Sequence, residues 1–134
     1  MYTVTDDEIF LRSLDYEFGW KIAVKTDEVI LSYVEEENHE YVEKSKVIIP
    51  GDALGTFLNA VDSMLGVENL ANEDYSLERS LKIVGAMKEI HIKEEFIDTH
   101  WRLFKISCDG SSVDLGADNL KVLITFFKKI QFNL

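Results

Sequence analysis

The feature that most limits the folds open to this chain is a strand-to-helix corner that occurs twice. Val47-Ile48-Ile49-Pro50-Gly51-Asp52-Ala53-Leu54 runs from an apolar strand end through a tight corner into an amphipathic helix. Val113-Asp114-Leu115-Gly116-Ala117-Asp118-Asn119-Leu120 repeats the pattern, each matched residue displaced by 66 positions. Val47 matches Val113, Ile49 matches Leu115, Asp52 matches Asp118 and Leu54 matches Leu120. Phe57-Leu58 then matches Leu123-Ile124, and Val61 matches Phe127. In each copy the Asp stands just before the apolar periodicity, where it reads as a helix N-cap.

The first half is read outward from its corner. Thr5-Asp6-Asp7-Glu8 has the form of a capping box, with Val4 and Ile9 placed to staple it. It predicts a helix over about residues 6–17 with Ile9, Phe10 and Leu14 on its buried face, stopped by Gly19. Three strands follow: Trp20–Lys25, Val29–Val34 and Tyr41–Ile49, with Trp20, Ile22 and Val24 on one face of the first. Thr26-Asp27-Glu28 and Glu35-Glu36-Glu37-Asn38-His39 are the turns, Asn38 being the residue suited to a left-handed conformation. Such short connections imply an antiparallel meander. The helix that begins at Ala53 runs to about Leu65 and ends at Gly66.

The second half has the same outline. Val67–Asp74 is the linker candidate. Leu77, Leu81, Val84 and Lys88 have helical spacing and predict a helix over about Tyr75–Met87, with a strand over Leu81–Val84 as the competing reading. Glu89–Phe96 and Trp101–Cys108 alternate as strands, and Asp109-Gly110 is a hairpin turn into Ser111–Leu115. Leu120, Leu123, Ile124, Phe127 and Ile130 form the apolar stripe of the last helix. The expected fold is α+β, a single domain over 1–134 with similar helix-βββ-helix halves at about 1–66 and 72–134. Those halves would share one largely antiparallel sheet of roughly six strands with helices packed on it.

A chain of 134 residues that is 46% hydrophobic, with one Pro and seven Gly, can bury a core without staples. Its single cysteine, Cys108, allows no intrachain disulfide, which points to a reducing compartment. The opening residues are acidic where a secretory leader would be basic, and no apolar run approaches a membrane span of ~20 residues. A cytoplasmic protein without a membrane segment is expected.

Sites for chemistry are sparse. His39, His91, His100 and Cys108 show no zinc-binding spacing, and no phosphate-binding glycine loop or nucleophile elbow is present. Cys108, just before Asp109-Gly110, reads as a buried small hydrophobe. Glu35-Glu36-Glu37 lacks the Asp/Asn/Gly alternation of a calcium loop. No catalytic residue, metal ligand or cofactor is expected, and the protein is not expected to be an enzyme.

Trp20, Tyr33, Tyr41, Phe96, Trp101 and Phe104 place aromatics along the strands. A meander ending in a capped helix, used twice, resembles the tandem arrangement of the Whirly, Pur-alpha and PC4 single-strand binders. The resemblance lies in element order over both halves. It implies a sheet face that stacks bases, with Lys44, Lys46, Arg102 and Lys105 as phosphate contacts. The first meander departs from it, because Glu35, Glu36, Glu37, Glu40 and Glu43 stand where such binders need bases. The aromatics are therefore read as core, and a single-stranded nucleic-acid module is the alternative.

Charge carries the functional expectation. Residues 1–75 hold 17 Asp/Glu against 5 Lys/Arg, whereas residues 76–134 hold 8 against 9. So acidic a half repels phosphate backbones and attracts basic surfaces. The expected function is an acidic immunity- or inhibitor-type protein, an antitoxin in the broad sense, that neutralises a basic partner such as a nuclease toxin. A DNA-mimic inhibitor differs from it only in target. The expected docking residues are Asp6, Asp7, Glu8, Glu35, Glu36, Glu37, Glu40 and Glu43, in a monomer or homodimer.

Overall fold

The computed structural model describes residues 2–4, 7–66, 77–85, 88–98 and 101–132. Five strands come first: β1 (Tyr2–Val4), β2 (Glu8–Arg12), β3 (Phe18–Val24), β4 (Glu28–Glu37) and β5 (Glu40–Pro50). Helix α1 (Gly51–Leu65) follows. Then come β6 (Leu77–Gly85), β7 (Lys88–Asp98), β8 (Trp101–Cys108), β9 (Ser111–Gly116) and α2 (Ala117–Phe132). Each set of strands forms its own antiparallel meander, a five-stranded sheet in the order β1 to β5 and a four-stranded sheet in the order β6 to β9.

The α+β class therefore holds, but several expectations are corrected. A single six-stranded sheet gives way to two sheets, and each half is a meander followed by one helix. The helix expected over 6–17 is instead strand β2 and the loop after it. Ile9 and Leu11 alternate inward and pair with Ile22 and Trp20 of β3, so cross-strand partners distant in sequence hold this segment extended. Val4 and Ile9 do meet, as cross-strand partners rather than as a staple. Of the helix expected over 75–87, the described residues 77–85 are strand β6, paired along its length with β7, which is the competing strand reading of Leu81–Val84 in a longer form. The linker expected at Val67–Asp74 lies outside the described residues.

The corners behave as matched elements. Val47 and Ile49 of β5 and Val113 and Leu115 of β9 are all buried. On the helices Phe57, Leu58 and Val61 are buried in α1, and Leu123, Ile124 and Phe127 in α2. Asp52 and Asp118, however, are not N-caps. Helix α1 begins directly after Pro50, so Asp52 is its second residue, as Asp118 is in α2. There both carboxylates favour the positive end of the helix dipole. Gly51 permits this sharp entry: its N–H donates to the Asp27 carbonyl at 2.8 Å, and a Cβ there would lie 2.9 Å from that oxygen.

The hairpin turns follow their chemistry. Asn38 and His39 have φ of 53° and 69°, and Asp109 and Gly110 have 53° and 79°. Positive φ at both central residues is the two-residue turn that matches strand twist.

The helices join the halves. α1 packs on β4 and β5 and reaches β6, while α2 packs on β8 and β9 and reaches β2. Strand β9 lies against β4 and β5, and the Trp20 indole N–H donates to the Asp114 carbonyl at 3.0 Å. One apolar cluster runs through both sheets and both helices. Trp20 and Phe104 belong to it, as expected, and Cys108 is buried in it too.

Inside the second half sits a polar joint. Glu94 on β7 is 0% exposed and receives the Arg102 guanidinium, with Nε at 2.7 Å from its carboxylate. The same guanidinium donates to the carbonyls of Met64 at 2.6 Å and Leu65 at 3.3 Å, at the C-terminus of α1. A helix end leaves carbonyls without intrahelical partners, and a cation there also suits the dipole. Arg102 is thus a bolt between α1 and the second sheet, not the phosphate contact that the single-strand reading would make of it.

Candidate functional site

The candidate site is the end of the first sheet at which two hairpin tips stand side by side. The β4–β5 hairpin carries Glu35, Glu36, Glu37, Glu40 and Glu43, all exposed. A bulge at Tyr33/Val34 interrupts the register just before these residues. The Glu36 carboxylate accepts the His39 N–H at 2.7 Å and ties the turn. Lys44 pairs with Glu37, and Lys46 approaches Glu43 at 3.9 Å. The Glu37 hydrogen bond raises the Lys44 pKa, and burial, then Glu35, raises that of the Tyr33 phenol.

The register brings the β2–β3 loop to the same place. Gly19 pairs with Val34 and Phe18 with Glu35, so residues 13–17 lie beside the hairpin tip. The Glu36 N–H donates to the Glu17 carbonyl at 2.7 Å, and the Tyr41 hydroxyl donates to the Tyr16 carbonyl at 2.8 Å. Asp15 and Glu17, both exposed, thereby join the five glutamates. The structure thus adds two carboxylates that the sequence reading had assigned to a helix. Across the sheet, Phe10 and Tyr41 meet edge-to-face at 5.0 Å, and Lys21 and Arg12 stand over the Phe10 ring.

The loop is built tightly. The Ser13 hydroxyl donates to the Asp15 carboxylate at 2.6 Å and accepts the Phe18 N–H at 3.2 Å. The same Asp15 oxygen accepts the Glu17 N–H at 3.1 Å. The bonds from Ser13 and then Glu17 hold the Asp15 carboxyl below its usual pKa.

The other expected docking residues lie elsewhere. Glu8 pairs with Ala23, which pairs with Ile30, so Asp7 and Glu8 sit at the opposite end of the sheet. Seven strand positions separate that row from Glu37, roughly 23 Å at the rise of a strand. Asp6 lies outside the described residues. Glu35, Glu36, Glu37, Glu40 and Glu43 therefore share one end of the sheet, and Asp7 and Glu8 stand at the other.

Elsewhere the surface offers less. The void between the first sheet and the helices measures about 10 Å³ and is lined by apolar residues such as Ile22, Leu58 and Phe127. That is room for about one water in a place without polar partners. An open depression on the second sheet carries Lys105, Ser107, Ser112 and His91, the last 3.6 Å from Glu89, so its charges are mixed. Among the described residues no three His, Cys, Asp or Glu are grouped to hold a metal, and no helix is long and apolar enough to cross a membrane. His100, Phe96 and Trp101 have no described side-chain environment. No protein-family model, curated protein or solved structure matches this chain.

Proposed function

We propose that the protein is a non-enzymatic acidic binder of the immunity or inhibitor kind, which uses the hairpin end of its first sheet to capture a basic protein. A nuclease toxin with a positive, phosphate-binding cleft is the partner that fits best. The observation that supports this is the convergence of Asp15, Glu17, Glu35, Glu36, Glu37, Glu40 and Glu43 on two adjacent tips. They outnumber the neighbouring Arg12, Lys21, Lys44 and Lys46, and the Asp15 and Glu36 carboxylates are tied to backbone N–H groups of their own turns.

An acidic surface of this kind acts mainly on encounter. Complementary potentials raise association rates well above the ordinary ~10⁵–10⁶ M⁻¹s⁻¹, and the gain falls as salt screens it. Individual exposed pairs contribute little, ~0.2–1 kcal/mol each, so several carboxylates must act together. A cytoplasmic site of action agrees with the single free cysteine.

The test is a binding panel of basic nucleases, a neutral protein and a single-stranded oligonucleotide at low salt. Selective binding of a basic nuclease, lost when Glu36, Glu37 and Glu40 are changed to Lys, is the expected result. Binding of the oligonucleotide alone would favour the nucleic-acid module instead.

A further inference from the structure

We propose that the loop of residues 13–17 is an apolar anchor, and that the partner's basic surface therefore has apolar side chains set among its Arg and Lys residues. The proposal rests on the preceding reading for the partner's charge and adds what the charge alone does not specify.

Among the described residues the exposed large hydrophobics are Leu14 at 83%, Tyr16 at 45% and Val42 at 38%. Single exposed apolar side chains are ordinary on any surface. Leu14 and Tyr16 stand together in the loop, beside the Tyr41 hydroxyl; Val42, the next residue on β5, faces the other side of the sheet and is not part of this group. Apolar residues at the middle of a charged rim are the usual anatomy of a protein interface, where a few anchors carry most of the affinity.

The backbone supports the same conclusion. Tyr16 has φ of 63°, a left-handed conformation that bulky residues rarely adopt and that Gly or Asn would take at lower cost. The Tyr16 N–H donates to the Ser13 carbonyl at 3.1 Å, the Tyr41 hydroxyl donates to the Tyr16 carbonyl, and Arg12 lies 4.9 Å over the Tyr16 ring. Leu14 and Tyr16 are therefore presented by a loop that is already ordered, which reduces the entropy lost on binding. The carboxylates around them exclude two other occupants. Anionic lipid headgroups and nucleic-acid phosphates are both repelled.

The experiment compares two peptides of equal charge, one alternating Arg and Trp and one alternating Arg and Ser, titrated against the ¹⁵N-labelled protein. The Arg–Trp peptide is expected to bind about tenfold more tightly, with its largest amide shifts at residues 13–17 and 35–43. Leu14→Ser combined with Tyr16→Asn, where Asn keeps the left-handed backbone, is expected to remove that difference and leave Arg–Ser binding unchanged. Equal affinity for the two peptides, with shifts confined to the hairpin, would overturn the anchor while leaving the electrostatic reading intact. No shift in either segment would overturn both.

Discussion

Replacing Arg102 by Met should cost more than any surface change in this protein. The substitution keeps most of the aliphatic volume and removes the guanidinium that meets Glu94 and the carbonyls of Met64 and Leu65. Taking one partner from a buried ion pair typically costs ~3–5 kcal/mol, because the remaining charge keeps its desolvation penalty. Here Glu94 has no exposed side-chain surface, but Arg102 keeps 15%, which places the expectation at the lower end, about 3 kcal/mol. For a chain of this size that lowers the melting temperature by about 12 °C. Combining Arg102→Met with Glu94→Leu removes the buried charge altogether. It leaves the α1 carbonyls to find water, at about 1 kcal/mol. Urea denaturation of the wild type, both single variants and the double variant at pH 7 closes the cycle. The reasoning fails if Arg102→Met costs under about 1 kcal/mol, or if the double variant is as unstable as Arg102→Met.

Three further outcomes are expected. Gly19→Ala should destabilise by about 1–3 kcal/mol in the same assay, since a Cβ would lie 2.6 Å from the Leu11 carbonyl oxygen and 2.8 Å from the Phe10 ring. Trp20→Phe should cost about 1–2 kcal/mol by losing the bond to the Asp114 carbonyl on β9, measured by thermal unfolding. Asp15 has a depressed pKa in the folded state, so its support of the 13–17 loop is present above the ordinary carboxyl range and is lost as pH falls through the lowered value. An NMR titration should therefore show the Glu17 and Phe18 amides moving with the Asp15 carboxyl, and Asp15→Asn should remove that movement.

The parts of the fold that could be read from sequence are those set by local chemistry. The two corners were legible because burial is periodic on both sides of each: Val47 and Ile49 at period two, then Phe57, Leu58 and Val61 at helical spacing. The Asn38 and Asp109-Gly110 turns were legible because few residues tolerate positive φ. The misread segments are those whose identity depends on a partner strand. Ile9, Phe10 and Leu14 fit a helical face, yet Ile9 and Leu11 fit a strand face equally, and only β3 decides between them. That one ambiguity carried Leu14, the most exposed of the large hydrophobics, into an expected core. It also hid Asp15 and Glu17 from the acidic surface. The Arg102 joint could not be read at all, because it links residues 37 and 38 positions apart through backbone carbonyls that carry no sequence signature.

The acidic site itself was legible in composition and not in extent. Glu35–Glu43 is conspicuous as a run, but only the register shows that Glu8 lies at the far end of the sheet.

The most direct test of capture by the acidic hairpin end is the association rate of a bound basic nuclease, followed by stopped flow across ionic strength. The wild type should associate fast at low salt and slow steeply as salt rises. The Glu36→Lys, Glu37→Lys, Glu40→Lys variant should associate at least about tenfold more slowly at low salt, with little salt dependence left. Equal rates and equal salt slopes for the two proteins would contradict capture through this end of the sheet.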